Sequence, residues 1–176
     1  MGALLQEDQS RYRQMHEKMP AFQKYYRLSQ ECTFKPLQLV YRFLLRHSRK
    51  RSLVELMYTC HIGGGLYLGH PYCITINPNA RIGANVSIHR GAVIGQENRG
   101  KRQGTPIIGD NVWMGINAAI VGNIHIGNDV LIAPNSYVNR DIPDHSVVFG
   151  NPCTVRHRDN ATESYIIAAN QQPQFK

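Results

Sequence analysis

The 176-residue chain lacks any apolar run long enough to cross a bilayer: its best stretch, Leu37–Leu45, is broken by Gln38 and Arg42. It has no C-x-x-C pair. Cys32, Cys60, Cys73 and Cys153 stand apart, which argues against metal and redox frameworks; isolated thiols suit a reducing compartment and serve as small apolar fillers. The charged-then-apolar order of a secretion signal is missing, because Gln6, Glu7 and Asp8 follow Leu5 at once. The expected location is therefore cytoplasmic. With 42% hydrophobic and 18% charged residues, the composition also excludes a disordered chain.

Acidic residues are scarce at the start. Residues 1–51 carry a net charge of +7, residues 52–176 only +1. Such asymmetry fits nucleic acid or an anionic surface, and equally a solvated helical arm. The basic–aromatic interleaving of a nucleic-acid binder is absent, so no nucleic-acid partner is expected. Within the arm, Pro36 opens a helical run in which Leu37, Val40, Tyr41, Leu44 and Leu45 share one face, with Arg42, Arg46, Arg49, Lys50 and Arg51 beside it.

What the chain does have is a period of six. Apolar residues recur at Ile76, Ile82, Ile88 and Ile94, then at Ile108, Met114, Ile120, Ile126, Ile132 and Val138; Ile62, Leu68 and Ile74 begin the series, with a two-residue irregularity at Ile74 and Ile76. Neither a helix nor a hairpin meander repeats every six residues. A short strand and a corner do, and three such units close a triangular coil of about 18 residues whose stability comes from stacking on the next coil. Asn79, Asn85, Asn111, Asn117 and Asn135 fall at the expected corners. Numbering the sides from Ile62, the second contains Leu68, Ile88, Met114 and Ile132. One position on from these lie Gly69, His89, Gly115 and Ala133; two positions on lie His70, Arg90, Ile116 and Pro134.

These hexads, the stretch Ile62–Asn77 (IGGGLYLGHPYCITIN) and the closing VFGNPCTV (Val148–Val155) resemble the hexapeptide-repeat acyltransferases, in the branch of serine acetyltransferases and polysaccharide O-acetyltransferases. The resemblance implies a mainly β protein, a left-handed parallel β-helix with a short α-helical N-terminal segment. Expected boundaries are a helical arm at 1–54, the β-helix at 55–157 with a loop insertion at 95–107, and a tail at 158–176, whose end, residues 170–176, is expected to fray. It implies a homotrimer, with Val93, Trp113, Ala119 and Tyr137 offering outward apolar area between subunits.

The same resemblance assigns roles. His70 matches the catalytic histidine, and Glu55 stands fifteen residues earlier, where the family has an orienting carboxylate. From register alone, and not from the resemblance, a groove at Gly115, Ile116, Ala133 and Pro134 is expected to take an extended chain such as the pantetheine arm of coenzyme A, with Arg140, Arg156 and Arg158 near the last coil for its phosphates. His89, Arg90 and Thr105 are expected to line the acceptor site. Serine acetyltransferases have Asp immediately before the catalytic His, where this chain has Gly69, and a His where it has Thr105 before Pro106. The expected activity is therefore acetyl-CoA-dependent O-acetylation of a sugar hydroxyl in a polysaccharide or its precursor, by direct transfer. Serine O-acetylation is the alternative, and a non-catalytic β-helix scaffold a third reading. No metal is expected, since His61, His70, His89 and His125 lack the H-x4-H spacing of the β-helical zinc hydratases. A peripheral contact of the basic arm with a membrane is the remaining expectation.

Overall fold

The computed structural model describes residues 2–166 and sets three helices ahead of a three-sided coil of short parallel strands. Residues 170–176 lie outside the described residues. The hexads become strands as their period requires. The first side stacks His61–Ile62, Arg81–Ile82, Ile107–Ile108 and His125–Ile126. The second stacks Tyr67–Gly69, Ser87–His89, Val112–Met114, Val130–Ile132 and Ser146–Phe149, and the third Thr75–Ile76, Val93–Gly95, Ala119–Val121 and Tyr137–Val138. The solenoid is left-handed.

Register follows the anchors. Leu68, Ile88, Met114, Ile132 and Val148 pair in one inward column, and Ile76, Ile94, Ile120 and Val138 in another. All nine are buried, so each coil adds its apolar set to one continuous core; a fully buried aliphatic side chain contributes about 1.5–3 kcal/mol. Corners need left-handed backbone, and Asn85, Asn111, Asn117 and Asn135 supply it with φ of 56°, 54°, 57° and 59°. Asn79 does not; its N–H is held by Asn77 Oδ1 at 3.0 Å.

The irregular hexad falls at a different place from the one the apolar series suggests. Gly69 pairs with His89, while the carbonyl of Tyr72 accepts the Gly91 N–H, at the level of Arg90 and Gly91 in the next coil. His70 and Pro71 are therefore the two extra residues, bulging from the corner between the second and third sides. The far end of the second side is closed by Thr154–His157, which pairs antiparallel with Ser146–Phe149.

The helices are α1 (Ala3–Gln14), α2 (Ala21–Glu31) and α3 (Lys35–Ser48). The first two cap the open rim of the first coil, and their polar residues do it. Asp8 accepts the Leu66 N–H at 2.9 Å and forms an ion pair with Arg27 at 2.8 Å, both side chains fully buried. Arg27 also donates to the Ile62 and Gly63 carbonyls, Gln23 to the Leu66 carbonyl, and Arg11 to the Gly65 and Val86 carbonyls and Ser87 Oγ. The Tyr12 hydroxyl accepts the Leu68 N–H and lies 3.3 Å from its carbonyl. Burial pulls the Arg11 guanidinium down to about 10, still protonated at neutral pH. A wholly solvated arm is thus excluded: two of its cations are internal. The expected apolar face of α3 is also corrected. Only Leu45 is buried, while Leu37 and Val40 are exposed, because α3 packs on α2 through a narrower stripe.

Candidate active site

His70 stands exposed on the bulged corner with φ +48°, and its carbonyl accepts the Tyr72 N–H at 2.7 Å across Pro71. No hydrogen bond or ion pair engages its imidazole among the described residues. The coil beneath is fixed by the cap, since the Tyr12 hydroxyl accepts the N–H of Leu68 two residues earlier.

His89 lies half-buried one coil on, between the rings of Tyr67 (6.2 Å) and Trp113 (4.7 Å). Its Nδ1 is 3.0 Å from the Met114 carbonyl. A carbonyl only accepts, so Nδ1 carries the proton and Nε2 of the neutral ring has a free lone pair. Burial lowers the His89 pKa and the neighbouring His70 lowers it further, against the opposing pull of the Met114 carbonyl. The ring lies over Gly69: a Cβ there would stand 2.5 Å from His89 Cδ2 and 2.6 Å from Nε2. Gly69 is glycine because the imidazole occupies the space a side chain would need.

The sequence pattern assigned no role to two residues here. Glu17, in the turn after α1, accepts a hydrogen bond from the Tyr67 hydroxyl at 2.9 Å. It also draws the His89 pKa upward through space, so it is close to the site. Burial and this carboxylate together push the Tyr67 phenol well above its ordinary range. Glu17 belongs to no motif, Tyr67 lies within the Ile62–Asn77 stretch without a role of its own there, and the two meet only through tertiary packing of the cap.

Glu55 opens the third side: it bridges Thr75 and exchanges backbone hydrogen bonds with Ile74 and Ile76. Its exposed carboxylate faces a groove with Arg49, Met57 and Asn77, and no hydrogen bond joins it to His70. Arg90 is exposed at the corner above His70, with its N–H on the Gly69 carbonyl.

Ile116, Ala133 and Pro134 continue the corner edge from Arg90, with Ile116 and Pro134 exposed. Gly115 departs from expectation. It does not border an open groove but is buried, and a Cβ on it would meet Pro134 N at 2.6 Å. The chain turns the corner there, so the outward direction given by strand alternation ends against the next coil. Trp113 is likewise not a free outward face, because Tyr165 packs on it at 5.0 Å. Tyr137 lines a groove on the third side with Arg99, Lys101 and Arg102.

The insertion leaves from the corner between the third and first sides, whereas His70 occupies the one between the second and third. Glu97 and Gly104 exchange backbone hydrogen bonds at 3.0 and 2.9 Å, closing a compact loop over a short 3-10 turn at Gly100–Arg102. The half-buried Thr105 donates its hydroxyl to the Asn79 carbonyl at 3.1 Å. Arg140 donates to the Cys153 carbonyl at 3.2 Å, Arg156 lies over the Phe149 ring, and Arg158 is exposed. No group of three or more His, Cys, Asp and Glu able to hold a metal occurs among the described residues.

Residues 105–140 match the bacterial transferase hexapeptide family (six repeats). The chain is 33% identical over 134 residues to a serine acetyltransferase of Staphylococcus xylosus, covering 75% of this chain and 61% of that protein. It thus spans about three fifths of that relative. It is similar in structure to a serine acetyltransferase of Neisseria gonorrhoeae solved with serine: TM-score 0.70, 26% identity, covering 87% of this chain and 69% of that one. A Brucella abortus serine acetyltransferase gives a TM-score of 0.73 at 24% identity, covering 90% and 70%, which is a likeness of fold. A putative acetyltransferase of Saccharomyces cerevisiae is 33% identical over 146 residues, 72% of this chain and 74% of that one. With similarity of that depth running through most of both chains, on the hexad coil described above, this protein belongs to the hexapeptide-repeat acyltransferase superfamily.

Proposed function

We propose that this protein is an acetyl-coenzyme A-dependent O-acetyltransferase in which His70 is the general base. The observation that carries this reading is the corner itself. Two residues beyond the regular coil lift an unpartnered imidazole clear of the surface, in a family whose relatives are named acetyltransferases. In the proposed step His70 takes the proton of an acceptor hydroxyl as the oxygen attacks the thioester carbonyl. The tetrahedral adduct collapses, the C–S bond breaks, and the imidazolium returns the proton to the departing thiolate of coenzyme A. Of the corner-edge residues, Arg90 and Ala133 engage their N–H groups on the Gly69 and Val148 carbonyls, so the Ile116 N–H is the donor proposed for the oxyanion. Glu55 is proposed to orient the imidazole, which requires a rotamer change, since the two do not touch in the free chain.

As acceptor, the relatives support serine over the sugar hydroxyl expected from the sequence. Glu17 beside His89 adds a carboxylate suited to an ammonium group. One observation favours the sugar as a second reading. The place next to His70 is filled by the neutral His89 ring over Gly69, and the Thr105 hydroxyl is engaged by Asn79. The test is release of free coenzyme A from acetyl-CoA with L-serine or with sugar acceptors. His70→Ala should lower the rate on the order of 10²–10⁴-fold, and Glu55→Gln less. Turnover of His70→Ala at the parent rate would overturn the assignment. Acetyl-CoA at about a hundred times its Kd should stabilise the fold by about 2.7 kcal/mol, and the absence of any such shift would remove the donor from the reading.

A further inference from the structure

We propose that the outer face of α3 docks on an anionic lipid surface. Along Lys35–Ser48 five of the exposed side chains, counting one in the turn that follows, fall into one stripe at helical spacing: Leu39, Val40 and Phe43, then Arg46 and Lys50. Exposure is high for residues of this kind: 61% for Leu39, 49% for Val40 and 68% for Phe43, with Phe34 just before the helix at 66%. A contiguous apolar patch of this sort marks a surface meant to be covered.

Charge says by what. No Asp or Glu occurs between Glu31 and Glu55, while that interval contains six Lys and Arg residues. Two of the six are engaged inside the molecule, Arg42 over the Tyr58 ring and on Gln38 Oε1, and Arg49 on the Leu56 carbonyl. The other four, Lys35, Arg46, Lys50 and Arg51, are exposed and form no ion pair among the described residues. A second copy packed through the same face would bring cations against cations with no carboxylate between Glu31 and Glu55 to pair them, so the face is a poor match for itself. An apolar stripe with cations at its ends fits a bilayer carrying negative headgroups: the aliphatic and aromatic side chains enter the acyl boundary while Lys and Arg remain at the phosphates. No helix among the described residues is long and apolar enough to span a membrane, so the contact lies in the interface plane. It would hold the rigid coil, and the His70 corner with it, beside the membrane.

The experiment is co-sedimentation of the full chain with vesicles of phosphatidylcholine alone or mixed with phosphatidylglycerol. Binding is expected only to the phosphatidylglycerol vesicles, and it should be lost at high salt. Phe43→Glu and the double variant Arg46→Glu/Lys50→Glu should each reduce the bound fraction at least about tenfold, with unchanged circular dichroism and thermal melting. Absence of binding to anionic vesicles by the parent would overturn the proposal. So would variants that bind vesicles as the parent does but change its sedimentation coefficient, since a second copy would then be the occupant.

Discussion

Removing the Asp8 carboxylate tests whether the buried network, and not the helices' apolar stripe, holds the cap to the coil. In Asp8→Ala, Arg27 keeps its charge in a fully buried site without its partner at 2.8 Å, and the Leu66 N–H loses its acceptor. Breaking a buried pair from one side costs about 3–5 kcal/mol, and an orphaned buried donor about 1–3 kcal/mol. The two share a site and do not simply add. A loss near 5 kcal/mol, at about 2–4 °C per kcal/mol for a chain of this size, lowers Tm by roughly 10–20 °C. Thermal melting by circular dichroism measures it, and hydrogen exchange at the Leu66 amide should accelerate in parallel. The double variant Asp8→Ala/Arg27→Met removes the stranded charge and should recover a substantial part of the loss. A shift of under about 2 °C in the single variant, or a double variant no better than it, would refute the reasoning.

Replacing Gly115 by Val drives a side chain into Pro134 and should cost about 1–3 kcal/mol as overpacking, seen as a lower Tm without ligand; an unchanged Tm would mean the corner is open after all. Asp129 accepts hydrogen bonds from Thr162, Ala161 and His145. Burial raises its pKa, but these bonds together outweigh that and leave it lowered. Its contribution is therefore complete above the unfolded carboxyl value of about 4 and is lost as pH falls through the lower folded value. Acid titration should release the segment that places Tyr165 on Trp113, read as a change in tryptophan fluorescence that Asp129→Asn shows already at neutral pH. For the homotrimer that the resemblance implies, with His70 and the insertion at different corners, mixing His70→Ala with a loop-deleted chain should restore activity after subunit exchange. An active monomer in sedimentation would dismiss it.

The coil was legible because a period of six leaves only one way to stack. Counting from Ile62 places Ile82, Ile108 and Ile126 on one side, and the strands pair in that register. His70 was legible through the motif around it, though not as an inserted residue, since Ile74 and Ile76 are both apolar and both buried, and the apolar series alone puts the irregularity there. Alternation failed at Gly115 because it describes strands, and there the chain has begun to turn. Asp8 and Arg27 were illegible for another reason, and Glu17, outside any helix, had only its later contact with Tyr67 to mark it. A polar residue on a helix reads as solvated until the surface it meets is known, and the rim of a first coil is all carbonyls and N–H groups.

That rim has a consequence for how the molecule meets others of its kind. A solenoid grows by presenting each coil to the next, so a bare terminal coil is a template on which another prism could continue the ladder into a fibre. Arg27, Gln23, Asp8, Tyr12 and Arg11 satisfy those terminal backbone groups with side chains, which cannot propagate a strand. The helices act as a stopper at this end, as the antiparallel Thr154–His157 strand does on the second side at the other, and a chain beginning after α2 should self-associate through its bare rim.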